Sequence, residues 1–217
     1  MPPKPKFSRM DIVNAALDII RESDIEHITA QAIAKKLETS TRPLFNYFST
    51  LEELRNAAAE QARVLYNEYA EKGLAMIPAF KGFAMAYIKF ALEEPSLFRL
   101  LFMRKTQNDD MSAFLDNEGH LNTVLDAISE TFGIDREKSM WLYGNMWLYA
   151  HGIATMCASE TLRFSDEDIA QRLGLLCRSL LISLHFPQDE RTGIIPNSDI
   201  EMPGNVEDYY FRPKKSD

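Results

Sequence analysis

Apolar residues recur along this chain at intervals of three and four, and nowhere at intervals of two for long enough to build a strand. Ile12, Ala15, Ala16, Ile19 and Ile20 set the pattern first, so one face of a first helix is buried. Ser8 and Asp11 flank its start as a capping box, with Phe7 and Ile12 where a hydrophobic staple packs. Ser23-Asp24 ends it. Thr29 opens a short second helix over 31–37, and Ser40 caps a third over about 41–47. Ser49 and Thr50, followed three residues on by Glu52 and Glu53, offer two overlapping capping boxes for a long fourth helix reaching about Met76. Pro78 breaks the pattern. Further helices are predicted at 79–94 (stopped by Glu94-Pro95), 96–104, 111–132, 135–159 and 166–186, the last with its own box at Ser165-Asp168. From Pro187 to Asp217 the chain carries Pro196, Pro203, Pro213, Gly193 and Gly204. This tail is expected to be loose, or draped over the body through Ile194-Ile195 or Tyr209-Tyr210-Phe211.

The segment 30–49 combines two short helices around a three-residue turn, Glu38-Thr39-Ser40. A helix-turn-helix needs a small residue where its helices cross and apolar residues beside that point. Ala34 is the small residue, flanked by Ile33 and Leu37 and faced by Leu44 and Phe48. The outward side of the third helix then presents Thr41, Arg42, Phe45 and Asn46. Arg42 can fork onto guanine, Asn46 can pair with adenine, and Thr41 or Phe45 can touch a thymine methyl. Thr29, Ser40 and Tyr47 are placed to donate to phosphates. Lys4, Lys6 and Arg9 form a candidate basic arm. Pro43 suits a first helical turn, where its missing N–H breaks no bond. Glu38 suits its place less well. The backbone there often needs a positive φ, which costs a non-glycine residue about 1 kcal/mol or more; either the turn differs or the protein tolerates the strain.

Composition changes this picture little. The 217 residues are 46% hydrophobic and 26% charged, enough for a sizeable core. No apolar run approaches the ~18–20 residues of a membrane span, and the start lacks a secretory signal, so a cytoplasmic location without membrane partners is expected. Net charge is −8, which argues against a general affinity for polyanions. Its distribution is uneven: residues 1–51 hold seven basic side chains (Lys4, Lys6, Arg9, Arg21, Lys35, Lys36, Arg42) against six acidic ones, or +1, leaving −9 for the rest. Cys157 and Cys177 lack CxxC spacing and read as core residues. Glu118 and His120 are too few for a metal site. No P-loop, Gly-x-Ser-x-Gly, His-Glu-x-x-His or dinucleotide fingerprint is present. Neither a cofactor nor an enzymatic activity is expected.

Residues Phe7 to Ala57 resemble the DNA-binding domain of TetR-type (tetracycline-repressor-like) regulators. The resemblance lies in Ile12-Val13-Asn14-Ala15-Ala16, the run from Ile28 to Leu37, the run from Ser40 to Phe48, and Leu51-Glu52-Glu53-Leu54. It implies DNA contacts at Thr29, Ser40, Thr41, Arg42, Phe45, Asn46 and Tyr47. Two positions depart from the family pattern: Glu38 stands for the usual glycine, and Leu51 where many members place a phosphate-binding lysine. The implied architecture is all-α, an N-terminal three-helix helix-turn-helix domain (1–51) joined to a helical effector-binding and dimerisation bundle (52–186), then the tail (187–217). Tyr87 to Ala91, Glu94 to Phe102 and Trp147 with His151-Gly152 resemble one subtype of that C-terminal domain.

The body's own pattern agrees with dimerisation. Ile169, Leu173, Leu176, Leu180 and Leu184 form an apolar stripe, and the helix over 135–159 is apolar nearly all round; such a helix must be covered on every side. Phe83, Tyr87, Phe90, Phe98, Phe102, Met103, Phe114, Met146 and Trp147 are either plain core or the lining of an apolar effector pocket. His151 belongs to the same candidate pocket. The function expected is a ligand-responsive homodimeric repressor bound to a pseudo-palindromic operator of double-stranded DNA, its two heads one or more helical turns apart, roughly 34–36 Å each. The alternative is a helical ligand-binding or adaptor protein that no longer binds DNA.

Overall fold

In the computed structural model, residues 7–103 and 119–184 are described. Phe114, Lys4, Lys6, the start of the helix expected over 111–132 and the tail from 187 lie outside them. The described elements, in order, are α1 (Arg9–Glu22), a single 3-10 turn (Ile25–His27), α2 (Ala30–Lys36), α3 (Arg42–Phe45), α4 (Leu51–Leu74), α5 (Ala79–Glu93), α6 (Pro95–Phe102), α7 (Leu121–Phe132), α8 (Arg136–Ala158) and α9 (Asp166–Ser183). There is no strand among the described residues. Met1–Cys177 forms one compact unit and Arg178–Asp217 a second. Of that second unit only the end of α9 and Leu184 are described.

Caps set most boundaries where the sequence places them. Ser8 and Asp11 form the predicted reciprocal box at α1. Asp135 accepts from Lys138 N–H at α8, and Ser165 and Asp168 bond reciprocally at α9. At α4 the two predicted boxes merge into one arrangement: Thr50 Oγ1 accepts from Glu53 N–H, while the Glu53 carboxylate accepts from Ser49 N–H. The 3-10 turn was not anticipated. Asp24 organises it by accepting from Glu26 N–H and His27 N–H, and Ile25 and Ile28 are buried beside it. Aspartate two and three residues before free amides is the local signal for such a start.

In the body α4 packs along α5, α5 against α7 and α8, and α6 against α1, α4 and α8. The α4–α5 approach depends on Gly73 and Gly82. A Cβ at Gly73 would lie 2.5 Å from the Gly82 carbonyl oxygen, and one at Gly82 would lie 2.1 Å from the Gly73 oxygen. Only hydrogen fits there. The core runs through the head as Ile12, Ala16, Ile20, Ile33, Leu44, Phe48 and Leu54 and continues through the body as Tyr66, Tyr87, Phe90, Phe98 and Leu142. α8 buries Leu142, Tyr143, Met146, Ala150 and Ile153, but its apolar circumference is not fully covered within the chain: Leu148 is 52% exposed, and Trp141, Tyr149 and Met156 are half-buried.

Candidate nucleic-acid interface and the aromatic interior

The candidate reading head is built on the crossing of α2 and α3. Ile33 and Ala34 of α2 are buried, as are Leu44 in α3 and Phe48 just after it, which fixes the opposite side of α3 outward. Arg42, Phe45 and Asn46 are exposed there and Thr41 is half-exposed. Phe45 is 52% exposed, an aromatic ring held in water by a rigid helix turn. Among the described residues neither Arg42 nor Lys35 is in an ion pair, whereas Lys36 pairs with Glu22. The positive charge that reaches outward is therefore small and local.

Five details of the head differ from, or decide between, the sequence expectations. Ser40 does not cap α3: Thr41 occupies the N-cap position in a helical conformation with no side-chain cap bond, because the chain enters the helix already coiled. Ser40 is exposed beside it. Glu38 has φ 49°, so the turn does adopt the left-handed conformation and the glutamate carries the strain. Glu38 N–H bonds the Lys35 oxygen and Thr39 N–H the Ala34 oxygen, closing the C-terminus of α2. Tyr47 donates its hydroxyl proton to the Phe7 carbonyl at 2.9 Å, so that proton ties the start of α1 to α3. Arg9 lies over the Phe48 ring, 4.7 Å from its centroid, packing the head from outside. Thr29 caps α2 by accepting from Ala32 N–H at 3.1 Å and keeps its own proton for an outside acceptor.

A polar relay that the sequence did not reveal joins α1 to the start of α6 and the end of α8. Arg21, in the last turn of α1, grips the Glu94 carboxylate with two parallel bonds of 2.8 and 2.7 Å. Ser96 donates to the Arg21 carbonyl at 3.2 Å. Arg99 bonds Ser96 and also the carbonyl of Ala158, the last residue of α8. Partners 59 to 75 positions apart leave no local trace in a sequence.

The aromatic residues expected to line an effector pocket divide into two groups. Phe83, Tyr87 and Trp147 line a cavity with Phe80, Val124, Ile128, Tyr143 and Met146. It measures about 30 Å³, room for roughly one water molecule. Phe90, Phe98 and Phe102 do not reach it. They are buried in an edge-to-face array with Tyr66 and Tyr87 at centroid distances of 4.9–5.5 Å and form core, since close rings in this geometry favour each other over an open space. Met103 is exposed at the end of α6. His151 stacks on Trp147 at 4.7 Å and shares a 2.8 Å hydrogen bond with Tyr87. Burial holds its imidazole below the usual 6.5. Burial also pushes the Cys157 and Cys177 thiols up. Among the described residues no group of three His, Cys, Asp or Glu side chains could hold a metal, and no helix is long and apolar enough to cross a membrane.

A helix-turn-helix with an outward-facing polar and aromatic face, carried on a larger helical body, defines a class of regulatory DNA-binding architecture. Comparison with known proteins narrows it. Residues 80–180 match the tetracyclin repressor-like C-terminal domain. An HTH-type transcriptional regulator of Mycobacterium tuberculosis, Rv0681, is 25% identical over 75% of this chain and 76% of its own length. The HTH-type transcriptional regulator YobS of Bacillus subtilis is 22% identical over 85% of this chain and 96% of its own. In fold, the chain is similar to a TetR-like transcriptional regulator from Rhodococcus sp. RHA1 (TM-score 0.62, 14% identity, covering 82% and 99% of the two chains). It is also similar to a TetR variant from Acinetobacter baumannii in complex with minocycline (TM-score 0.51, 17% identity, covering 82% and 97%). Over residues 80–180 the chain is thus similar to tetracycline-repressor-like regulators, and over most of its length to HTH-type transcriptional regulators.

Proposed function

We propose that the chain is a ligand-responsive, sequence-specific DNA-binding repressor that acts as a homodimer on a pseudo-palindromic operator. The observation that carries this reading is the outward face of α3. Arg42, Phe45 and Asn46 stand exposed on a helix whose other side is anchored by Leu44 and Phe48. Arg42 reads guanine and Asn46 adenine in the major groove, with Thr41 and Phe45 against thymine methyls; Thr29 and Ser40 bond flanking phosphates. Tyr47 contributes mainly by holding α3 to the start of α1. Residues 1–51 act as the head and 52–186 as the effector-binding and dimerisation body.

The uncovered side of α8, around Leu148, supports pairing of two copies, because an exposed apolar strip on a long helix is stabilised by a matching strip. The minocycline complex of the TetR variant supports a small-molecule effector in the body. α4 extends across the head–body boundary, and the Arg21–Glu94 grip adds a second tie. An effector that shifts α5 and α6 would then bias the head spacing.

The test is a titration of the full chain against its own upstream DNA at two salt concentrations. Binding confined to one sequence, weakened steeply by salt and lost in Arg42→Ala is the expected result. Equal, negligible binding to every sequence would instead favour a helical ligand-binding protein without DNA function.

A further inference from the structure

We infer that Arg63, Asn67 and His120 form the polar end of the effector site and that the effector is an amphipathic carboxylate, its carboxylate on Arg63 and its apolar part directed along Phe83 towards the cavity lined by Phe83, Tyr87 and Trp147. This rests on the reading of the body as effector-binding. Arg63 and Asn67 lie one turn apart on α4 and so share a face. The Arg63 guanidinium lies 5.3 Å from the centroid of Phe102 and 6.0 Å from that of Tyr66. Its Nη1 atom is buried and, among the described residues, has no hydrogen-bond partner; nor does any described carboxylate form an ion pair with it. A cation in that position is compensated only in part by ring faces. An arginine fork with one arm unfilled suits an acceptor that brings two oxygens.

The neighbours favour the same chemistry. His120 Nε2 lies 3.3 Å from Asn67 Oδ1, and burial, followed by the opposed fields of Glu71 and Arg63, leaves the imidazole more acidic than usual. A neutral His120 donates to Asn67 Oδ1, which keeps the Asn67 amide protons for an incoming acceptor. A single negative charge is also what so apolar a setting tolerates best, because desolvating a doubly charged phosphate is far harder. The His120 ring is 6.4 Å from Tyr66 and 5.8 Å from Phe83. Phe83 also lines the cavity that Tyr87 and Trp147 line, so one wall serves both the polar cluster and the apolar space. The ligand's charge would sit beside Phe102 of α6, the helix that bonds α1 through Ser96.

Decanoate and decanol, equal in chain length, are titrated into the full chain at neutral pH by calorimetry and tryptophan fluorescence. The wild type is expected to bind decanoate at least about tenfold more tightly, the effect of one hydrogen bond to a charged group. Arg63→Met is expected to bring the two affinities together by weakening decanoate alone, and Arg63→Lys to retain part of the preference. Equal affinities in the wild type, binding of neither probe, or a preference that survives in Arg63→Met would each overturn the inference. The wild-type comparison stands even where a variant fails to fold. Loss of operator binding with the decanoate preference intact would sink the regulator reading and leave the carboxylate site standing; the reverse pattern would do the opposite.

Discussion

The head and the body use aromatic residues in opposite ways. In the head, Phe45 is held half in water on α3 while Phe48, three residues on, is buried to 1% exposure. In the body, Phe90 and Phe98 are wholly buried, and their rings are packed against one another rather than around an open space. A surface that reads another molecule needs its side chains fixed but uncovered, which a short helix clamped from behind provides. An interior that responds to a ligand needs rings that can repack, and its resting state is filled. The same residue type is therefore a candidate contact in one region and core in the other. Burial decides which.

The sharpest way to break this contrast is to truncate a body ring. Phe98→Ala is expected to lower stability by about 3–5 kcal/mol in denaturant unfolding. A loss below about 1 kcal/mol would mean that Phe98 borders an adaptable pocket after all. In the head the corresponding change acts on binding: Arg42→Ala is expected to weaken operator affinity by about 1–3 kcal/mol per half-site with an unchanged melting curve, since the side chain is exposed and no described residue pairs with it. A drop in melting temperature comparable to that of the ring truncation would show that α3 is held by the arginine rather than by Leu44 and Phe48.

Two smaller effects sharpen the comparison. Glu38→Gly relieves the positive φ in the head and is expected to raise stability by about 0.5–1 kcal/mol, the left-handed penalty less the greater freedom of glycine in the unfolded chain. No gain in denaturant midpoint would mean that the glutamate's side chain offsets its own strain. In the body, His151 has a depressed pKa in the folded state, so below its ordinary value the unfolded chain binds more protons than the folded one. The stability it contributes is then present above about pH 6.5 and falls away as the pH drops through the folded value. His151→Gln should flatten that part of the pH–stability profile, with the remaining slope from His120, which is shifted in the same direction. A profile unchanged by the substitution would contradict a half-buried neutral imidazole against Trp147.

Much of the head was legible because its signals are local. A capping box spans three residues, the α2–α3 crossing declares itself by Ala34 between Ile33 and Leu37, and the outward face follows from helical periodicity once Leu44 and Phe48 are placed inside. The conformation of Glu38 was legible as a question, since the turn geometry asks for a positive φ whatever residue stands there. The exceptions are also local, and they show the margin of such reasoning: Thr41 rather than Ser40 begins α3, and the Tyr47 hydroxyl turns inward to Phe7. Both depend on how the chain leaves the turn at Glu38.

What the amino-acid order determined by itself is the all-helical class, the position of most helices, and the set Arg42, Phe45 and Asn46 as the head's outward residues. Hydrophobic periodicity and capping depend only on neighbours within a few positions. The tertiary structure alone decided which aromatics of the C-terminal helices face a cavity and which are core, that Arg21 of α1 grips Glu94 between α5 and α6, and that Arg63 lies over Phe102 with one nitrogen unfilled. Those facts arise between helices far apart in sequence. Their physical cause is the close α4–α5 approach allowed by Gly73 and Gly82, together with the docking of α6 on α1, and neither leaves a periodic mark on the chain.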